Sequence, residues 1–142
     1  MPEEFLAIHR RVAESDRDLC EVERECLGLD HSEVGALYFK NQKMPEFLIG
    51  STRYHHRPSE ADENQRLAAV VYIANLAVRG ASIGASGAVQ NVKPSLWRTL
   101  EAWKYVSQAG DSKANQRLVR NIEKQLLKLQ ELASEMVADR RF

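Results

Sequence analysis

Residues 28–56 read GLDHSEVGALYFKNQKMPEFLIGSTRYHH, and residues 66–78 follow with the apolar segment RLAAVVYIANLAV. Capping and turn residues divide the first stretch into two short helices, whereas the second is apolar on nearly every side, as in a helix surrounded by others. No segment alternates convincingly with the period of two that indicates a strand. The sequence therefore predicts an all-α fold, an orthogonal bundle of about six to seven helices.

The composition limits the class of protein. The chain has 142 residues, 20 Lys and Arg and 20 Asp and Glu, so its formal net charge is zero and no general attraction to nucleic acid or to an acidic membrane is expected. No apolar run approaches the ~20 residues of a membrane span, and the acidic N-terminus differs from a secretory signal. We expect a cytoplasmic protein.

Two helices are predicted at the start of the chain. Pro2 suits the first turn of a helix, and His9 borders its apolar face as a half-buried residue. Asp18 and Glu21 have capping-box spacing for a second helix, which Gly28 ends. The apolar face of the first helix is expected to carry Phe5, Ile8 and Val12.

The two cysteines, Cys20 and Cys26, are six residues apart, which corresponds to about 240° of rotation along the predicted second helix. They point away from each other and suit neither a metal nor a mutual disulfide. We expect two buried free thiols.

A third helix is predicted to begin at a capping box formed by Asp30 and Glu33, which places His31 in the first turn. Gly35 lies one turn later, where the missing side chain permits either close approach of another helix or simple packing. The residues expected to face the core are Val34, Leu37 and Tyr38.

A fourth helix is predicted to open at Met44-Pro45, with Phe47 and Leu48 facing inward. It must end near His56, because the residue before Pro58 disfavours helical geometry. His55 and His56 therefore lie at a helix C-terminus.

The rest of the chain continues the helical pattern. Residues 65–78 form the enclosed central helix, in which Asn75 needs a polar partner, and the glycines of GASIGASG form a flexible loop rather than a phosphate site. Residues 94–110 predict a sixth helix with two core tryptophans. Residues 113–140 predict a long amphipathic helix with a heptad seam, suited to packing on the domain or on another subunit. The seam comprises Val119, Ile122, Leu126, Leu129, Ala133 and Met136.

Considered as chemistry, the three clustered histidines could supply imidazoles to a metal, with nearby carboxylates as oxygen ligands. His55 and His56 diverge by about 100° on a helix, so both reach one ion only if the helix ends between them. The residues alone leave two alternatives open, a bound metal or structural histidines. The candidate oxygen ligands are Asp30, Glu33 and Glu60.

The composite of these motifs resembles the C-terminal part of an HDOD domain, the regulatory relative of the HD-type metal-dependent phosphohydrolases. The quoted stretch carries a D-H-x-x-V-G helix, a P-x-x-[IL] helix and an HH pair. The segment after it, AAVVYIAN, follows the pattern A-x-[IL]-V-x-x-A-[ND] except that Val70 takes the [IL] position. The resemblance covers about residues 19–103. It implies an HD-like helical domain over residues 1–110, followed by an amphipathic helix over residues 111–142.

The resemblance also implies roles for individual residues. His31, His55 and His56 match metal-binding histidines of the catalytic HD relatives, and Asn75 stands where those enzymes carry an Asp. The His-Asp pair that names the superfamily would lie before residue 1, and no D-G-x-G-Y-P segment follows the histidines. A vestigial, empty metal site is therefore expected, with no catalytic residue and no cofactor.

These observations lead to a non-catalytic, all-α signalling module of bacterial type that acts through a protein partner, with a homodimer through residues 113–140 as a further expectation. The alternative is a metal-dependent phosphohydrolase acting on nucleotides or cyclic dinucleotides, with iron, manganese, zinc or magnesium as its cofactor. Neither nucleic acid nor a membrane is expected as a partner.

Overall fold

Helices make up the secondary structure of this computed structural model, which describes residues 2–15, 17–81, 94–107 and 110–139. No strand occurs in those ranges, so the predicted all-α fold is confirmed. Two short 3-10 helices cover Pro58–Glu60 and Pro94–Thr99. The α-helices are α1 (Pro2–Ala13), α2 (Leu19–Leu27), α3 (His31–Asn41), α4 (Glu46–Tyr54), α5 (Gln65–Gly80), α6 (Trp103–Val106) and α7 (Ser112–Asp139).

Helices α1 and α2 pack as a pair around a small apolar cluster. The predicted inward positions Ile8 and Val12 are buried, whereas Phe5 is 56% exposed and contacts the ring of His9 at 4.3 Å between centroids. The prediction for Phe5 was wrong because the apolar stripe is wider than the surface that α2 covers. The cluster consists of Ile8, Val12, Leu19 and Val22.

The junction between α2 and α3 follows the predicted caps. The Asp18 side chain accepts from the backbone N–H of Cys20, and Gly28 ends α2 with a φ of 79°, which glycine adopts without a steric penalty. Asp30 and Glu33 form the predicted capping box at the start of α3. These caps fix His31 as the first residue of α3.

Helices α3 and α4 pack closely on each other at Gly35. A Cβ at that position would lie 3.0 Å from Cγ2 of Thr52, so the missing side chain serves close approach. Three predicted inward residues of α3 instead point outward, and Phe47 of α4 is 51% exposed. The side of α3 that meets α4 carries small residues, which leaves the larger ones outside: Val34, Leu37 and Tyr38.

Helix α5 is the central helix that the apolar segment predicts, but other elements do not enclose it fully. One side is buried by α4, by both 3-10 helices and by α6 and α7. The other side lies partly open to solvent, so the prediction of burial all round was wrong. The exposed residues are Val70, Val71 and Val78, and the buried ones are Ala68, Ala69, Ile73, Leu76 and Ala77.

The predicted sixth helix is two elements, a 3-10 helix over Pro94–Thr99 and the short helix α6. Trp97 and Trp103 are both buried, as predicted. On one straight α-helix these two positions would lie about 120° apart, so a break between them lets both indole rings face α5. Most of GASIGASG, including Gly84 and Gly87, lies outside the described residues.

Helix α7 confirms the predicted C-terminal helix and packs on α5 through its first half. Gln130 also donates from Nε2 to the carbonyl oxygen of Ala81 at 2.7 Å. Met136 belongs to the predicted heptad seam, but its side chain lies outside the described part of the chain. The packed residues are Leu118, Val119, Ile122 and Leu126, and the exposed leucines are Leu127, Leu129 and Leu132.

Two further expectations can be compared with the structure. Cys20 is a buried free thiol, as predicted, but Cys26 is exposed, because it lies on the outer side of α2. In the described ranges, every helix is too short or too polar to cross a bilayer.

Candidate functional site

A cavity of about 560 Å³ opens between the α1–α2 pair and the residues that follow α4. It gathers the four candidate site residues that the sequence analysis selected, together with His9, which the sequence placed apart from them. Residues from α1, α2, α3 and α5 and from the end of α4 contribute to its wall. The polar and charged lining residues are His9, Asp18, Glu23, His31, His55, His56, Asn75 and Arg79.

His31 is held at the rim of this cavity by Glu23, a buried carboxylate of α2. Oε2 of Glu23 accepts from the backbone N–H of His31 at 2.9 Å and lies 2.7 Å from Nδ1 of its ring. The hydrogen bond to Glu23 raises the pKa of His31 and outweighs the opposing effect of burial. About 40% of the His31 side chain remains exposed to solvent.

His56 faces His31 across the cavity, with 2.9 Å between the two Nε2 atoms. Burial, together with the charges of His55 and His31, lowers the pKa of His56 to about 4. His56 is therefore the neutral partner, and its Nε2 accepts from the Nε2–H of His31.

His55 caps the C-terminus of α4 and is oriented by the backbone. Its Nδ1 donates to the carbonyl oxygen of Thr52 at 2.6 Å, one of the terminal carbonyls that a helix leaves without a partner. Burial is the main cause of its lowered pKa. The ring of His55 packs on that of His56 with 4.1 Å between centroids and lies 5.5 Å from that of His31.

Cys20 is a site residue that sequence reasoning missed. In the described part of the chain, the metal-binding atoms of Cys20, His31 and His56 all lie within 4.8 Å of one another. The expectation that neither cysteine suits a metal considered only their mutual geometry on α2. The nearness of Cys20 to the histidines depends on how α2 packs against residues 31 and 56, which no local pattern reveals.

The candidate oxygen ligands are occupied by other contacts. Asp30 caps α3 and pairs with Arg24, while Glu33 completes the capping box. Glu60 lies 3.3 Å from the guanidinium of Arg57. Hard divalent cations prefer several carboxylate oxygens, so these residues do not fit the magnesium-type or manganese-type centre of a hydrolase.

Asn75 lies half-buried on α5 and lines the same cavity as the histidines. A neutral amide is a poorer ligand for a hard cation than the carboxylate that the resemblance places there in catalytic relatives. Arg79, one turn further along α5, adds a positive charge to the wall. Both residues make this side of the cavity unfavourable for such a cation.

The family model of the HDOD domain matches residues 1–58 of the chain. No curated protein and no solved structure matches it significantly. The match begins at residue 1 rather than at residue 19, where the resemblance noted from the sequence began. The match includes all four histidines of the cavity and ends before α5, so Asn75 lies beyond it.

Proposed function

Because residues 1–58 carry HDOD-domain sequence, we propose that this chain is a non-catalytic regulatory module that acts through contact with another protein. We propose that the module acts in a signalling pathway in the cytoplasm of a bacterium. Neither nucleic acid nor a membrane is part of the proposal, since the acidic and basic residues balance at 20 each.

The observation that carries the proposal is an exposed apolar surface on α3, consisting of Val34, Leu37 and Tyr38 and called here the α3 apolar face. The three side chains are 51%, 52% and 60% exposed. Their spacing of three and four residues places them on one side of the helix. Contiguous apolar residues at a surface are typical of protein contact sites, and tyrosine is enriched in such interfaces.

The histidine cavity supports a module without hydrolytic activity. The carboxylates nearest the histidines are engaged, Asp18 at the N-terminus of α2 and Glu23 with His31. A hydrolase needs, besides a metal-bound water or another activated nucleophile, groups that fix it in place, and these two carboxylates are not free to do so. The hydrogen bonds in the cavity instead connect α2, α3 and the end of α4, so they hold these helices together.

The contact surface can be tested by photo-crosslinking in cells. A photoreactive residue replaces Leu37, and a matched control replaces Gln116, which is exposed on α7. We expect a crosslinked protein at position 37 and not at position 116. The purified partner should then bind the unmodified chain and the Gln116→Asp variant equally, and bind Leu37→Asp at least tenfold more weakly. Equal binding by both variants would contradict the proposed surface.

The alternative is a metal-dependent phosphohydrolase, favoured by the position of His31, His55 and His56 in the wall of one cavity. Incubating the chain with nucleotides and cyclic dinucleotides in the presence of magnesium, manganese, iron or zinc tests it directly. We expect no turnover above that of a His55→Ala variant. Turnover that this substitution abolishes would establish the enzyme and overturn the non-catalytic module.

Self-association through α7 is a second part of the proposal on partners. The first half of α7 packs on the domain, whereas Leu127, Leu129 and Leu132 lie exposed in its second half. Residues 113–140 continue one amphipathic pattern across both halves. The outer leucines are therefore the part of that pattern available to a second copy of the chain.

A further inference from the structure

We propose that Cys20, His31 and His56 form a zinc site, with a fourth position open to water or to a ligand from a partner. This site differs from the one implied by the HDOD resemblance, because it includes a thiol and leaves out both His55 and Asn75. It is also independent of the proposed contact surface on α3.

The geometry of the three residues fits a zinc ion with a small adjustment. Zinc binds sulfur at about 2.3 Å and nitrogen at about 2.0–2.1 Å, so tetrahedral ligand atoms lie about 3.4–3.6 Å apart. The three ligand atoms lie within 4.8 Å of one another, and the two Nε2 atoms are 2.9 Å apart. The imidazole rings need to separate by about half an ångström, and the thiol needs to move inward.

Glu23 gives this site a support that chance clusters lack. A histidine that binds zinc through one ring nitrogen usually donates from the other to a carboxylate, which fixes the tautomer and strengthens the ligand. His31 has this arrangement, with Nδ1 at 2.7 Å from the buried Glu23 and Nε2 directed at His56. The carboxylate also balances part of the charge that a bound metal would bring.

The donor set determines which metal is expected. A thiolate and two imidazoles favour zinc over magnesium, calcium or manganese, which prefer oxygen. Zinc replaces the thiol proton of Cys20, and that proton leaves to solvent. Sites with three protein ligands keep a fourth position for water or another molecule, and the partly exposed His31 leaves that side open.

A metal at this place would join two parts of the fold. Cys20 lies in the first turn of α2, which packs on α1, whereas His56 follows α4, which packs on α3. Coordination would tie the two helix pairs together through one ion. Zinc is therefore expected to raise the midpoint of thermal unfolding, because the folded chain has this binding site and the unfolded chain does not.

Cobalt(II) is the probe, because it replaces zinc and shows thiolate coordination as a charge-transfer band. The chain is titrated as the unmodified protein and as Cys20→Ser, with Cys26→Ser as the matched control, since Cys26 is exposed and outside the cluster. We expect one cobalt per chain with a thiolate band in the unmodified protein and the control. The band should be absent in Cys20→Ser, and zinc should displace the cobalt.

A second measurement separates loss of the site from loss of the fold. Each variant is checked for helical circular dichroism, and its unfolding midpoint is measured with and without zinc. Zinc should raise the midpoint of the unmodified protein and of Cys26→Ser, but not of folded Cys20→Ser or His56→Gln. No cobalt binding, or binding that survives Cys20→Ser and disappears in His55→Ala, would overturn the proposal. The cobalt titration and the unfolding midpoints do not test the contact surface of α3.

Discussion

The Asp30 carboxylate, which is buried, joins α2 to the start of α3. It accepts from the backbone N–H groups of Ser32 and Glu33 at 2.9 and 3.0 Å, from the Ser32 hydroxyl and from the guanidinium of Arg24. Burial by itself would raise the pKa of Asp30, but these hydrogen bonds and the charge of Arg24 together lower it. Asp30 therefore remains ionised in the folded chain and holds the start of α3 beside the histidine cavity.

Asp30 is expected to contribute stability that acid removes. A carboxylate with a lowered pKa stabilises the fold fully above its unfolded value of about 3.9, and the contribution is lost as the pH falls through the folded value. Asp30→Asn keeps an N-cap but removes the charge, so we expect a loss of about 1–3 kcal/mol near neutral pH. Urea unfolding from pH 7 to pH 3 measures this. The difference between the two proteins should shrink at low pH, and a constant difference would contradict the assignment.

At the scale of the helices, the contact between α3 and α4 depends on a side chain that is missing. Gly35 brings the backbone of α3 close to the methyl group of Thr52. The same contact directs the small residues of α3 inward and its larger apolar residues outward. One glycine thus sets both the packing of the two helices and the exposure of the α3 apolar face.

Gly35→Val is expected to destabilise the chain by about 1–3 kcal/mol, because the added side chain overlaps Thr52 and pushes α4 away. Thr52→Ser removes the Cγ2 methyl group and should recover part of the loss in the double variant. Chemical denaturation of the two single variants and the double variant measures the coupling. Strictly additive effects would show that residues 35 and 52 do not meet.

Local sequence signals predicted most of these elements, because caps and breaks act within a few residues. Asp18, Gly28 and Asp30 each end or begin a helix where expected, and His31 begins α3. It was harder to predict which apolar residues face the core, since the sequence of one helix does not show which of its faces a neighbouring helix covers. Cys20 was missed for the same reason, as its approach to the histidines is made by packing between distant segments.

At the scale of the whole molecule, the described residues contain two buried apolar clusters. One lies between α1 and α2, and the other lies between α5, the 3-10 helix Pro94–Thr99, α6 and α7. Helices α3 and α4 lie between the two clusters in the sequence. The cavity is bordered by the first cluster and by α5, so a ligand in it would contact both parts of the fold.

The exposed leucines of α7 lead to a prediction about the assembly. If they form a contact between two copies, Leu132→Asp should shift the protein from dimer to monomer, because it places a charge in an apolar interface. Gln116→Asp adds the same charge at an exposed position in the first half of α7 and should leave the dimer intact. Sedimentation equilibrium measures both variants. A monomer in the unmodified chain at all concentrations would exclude self-association.

The burial of both tryptophans of the chain in the second cluster has an optical consequence. Their fluorescence emission follows the environment between α5 and α7, whereas circular dichroism follows every helix. Val22→Ala, which opens a gap in the first cluster, should lower the midpoint seen by circular dichroism and leave the emission midpoint nearly unchanged. Equal shifts of both midpoints would show that the two clusters unfold as one unit. The two indole rings thus report on one half of the molecule, and comparing the two signals measures how tightly the halves are coupled.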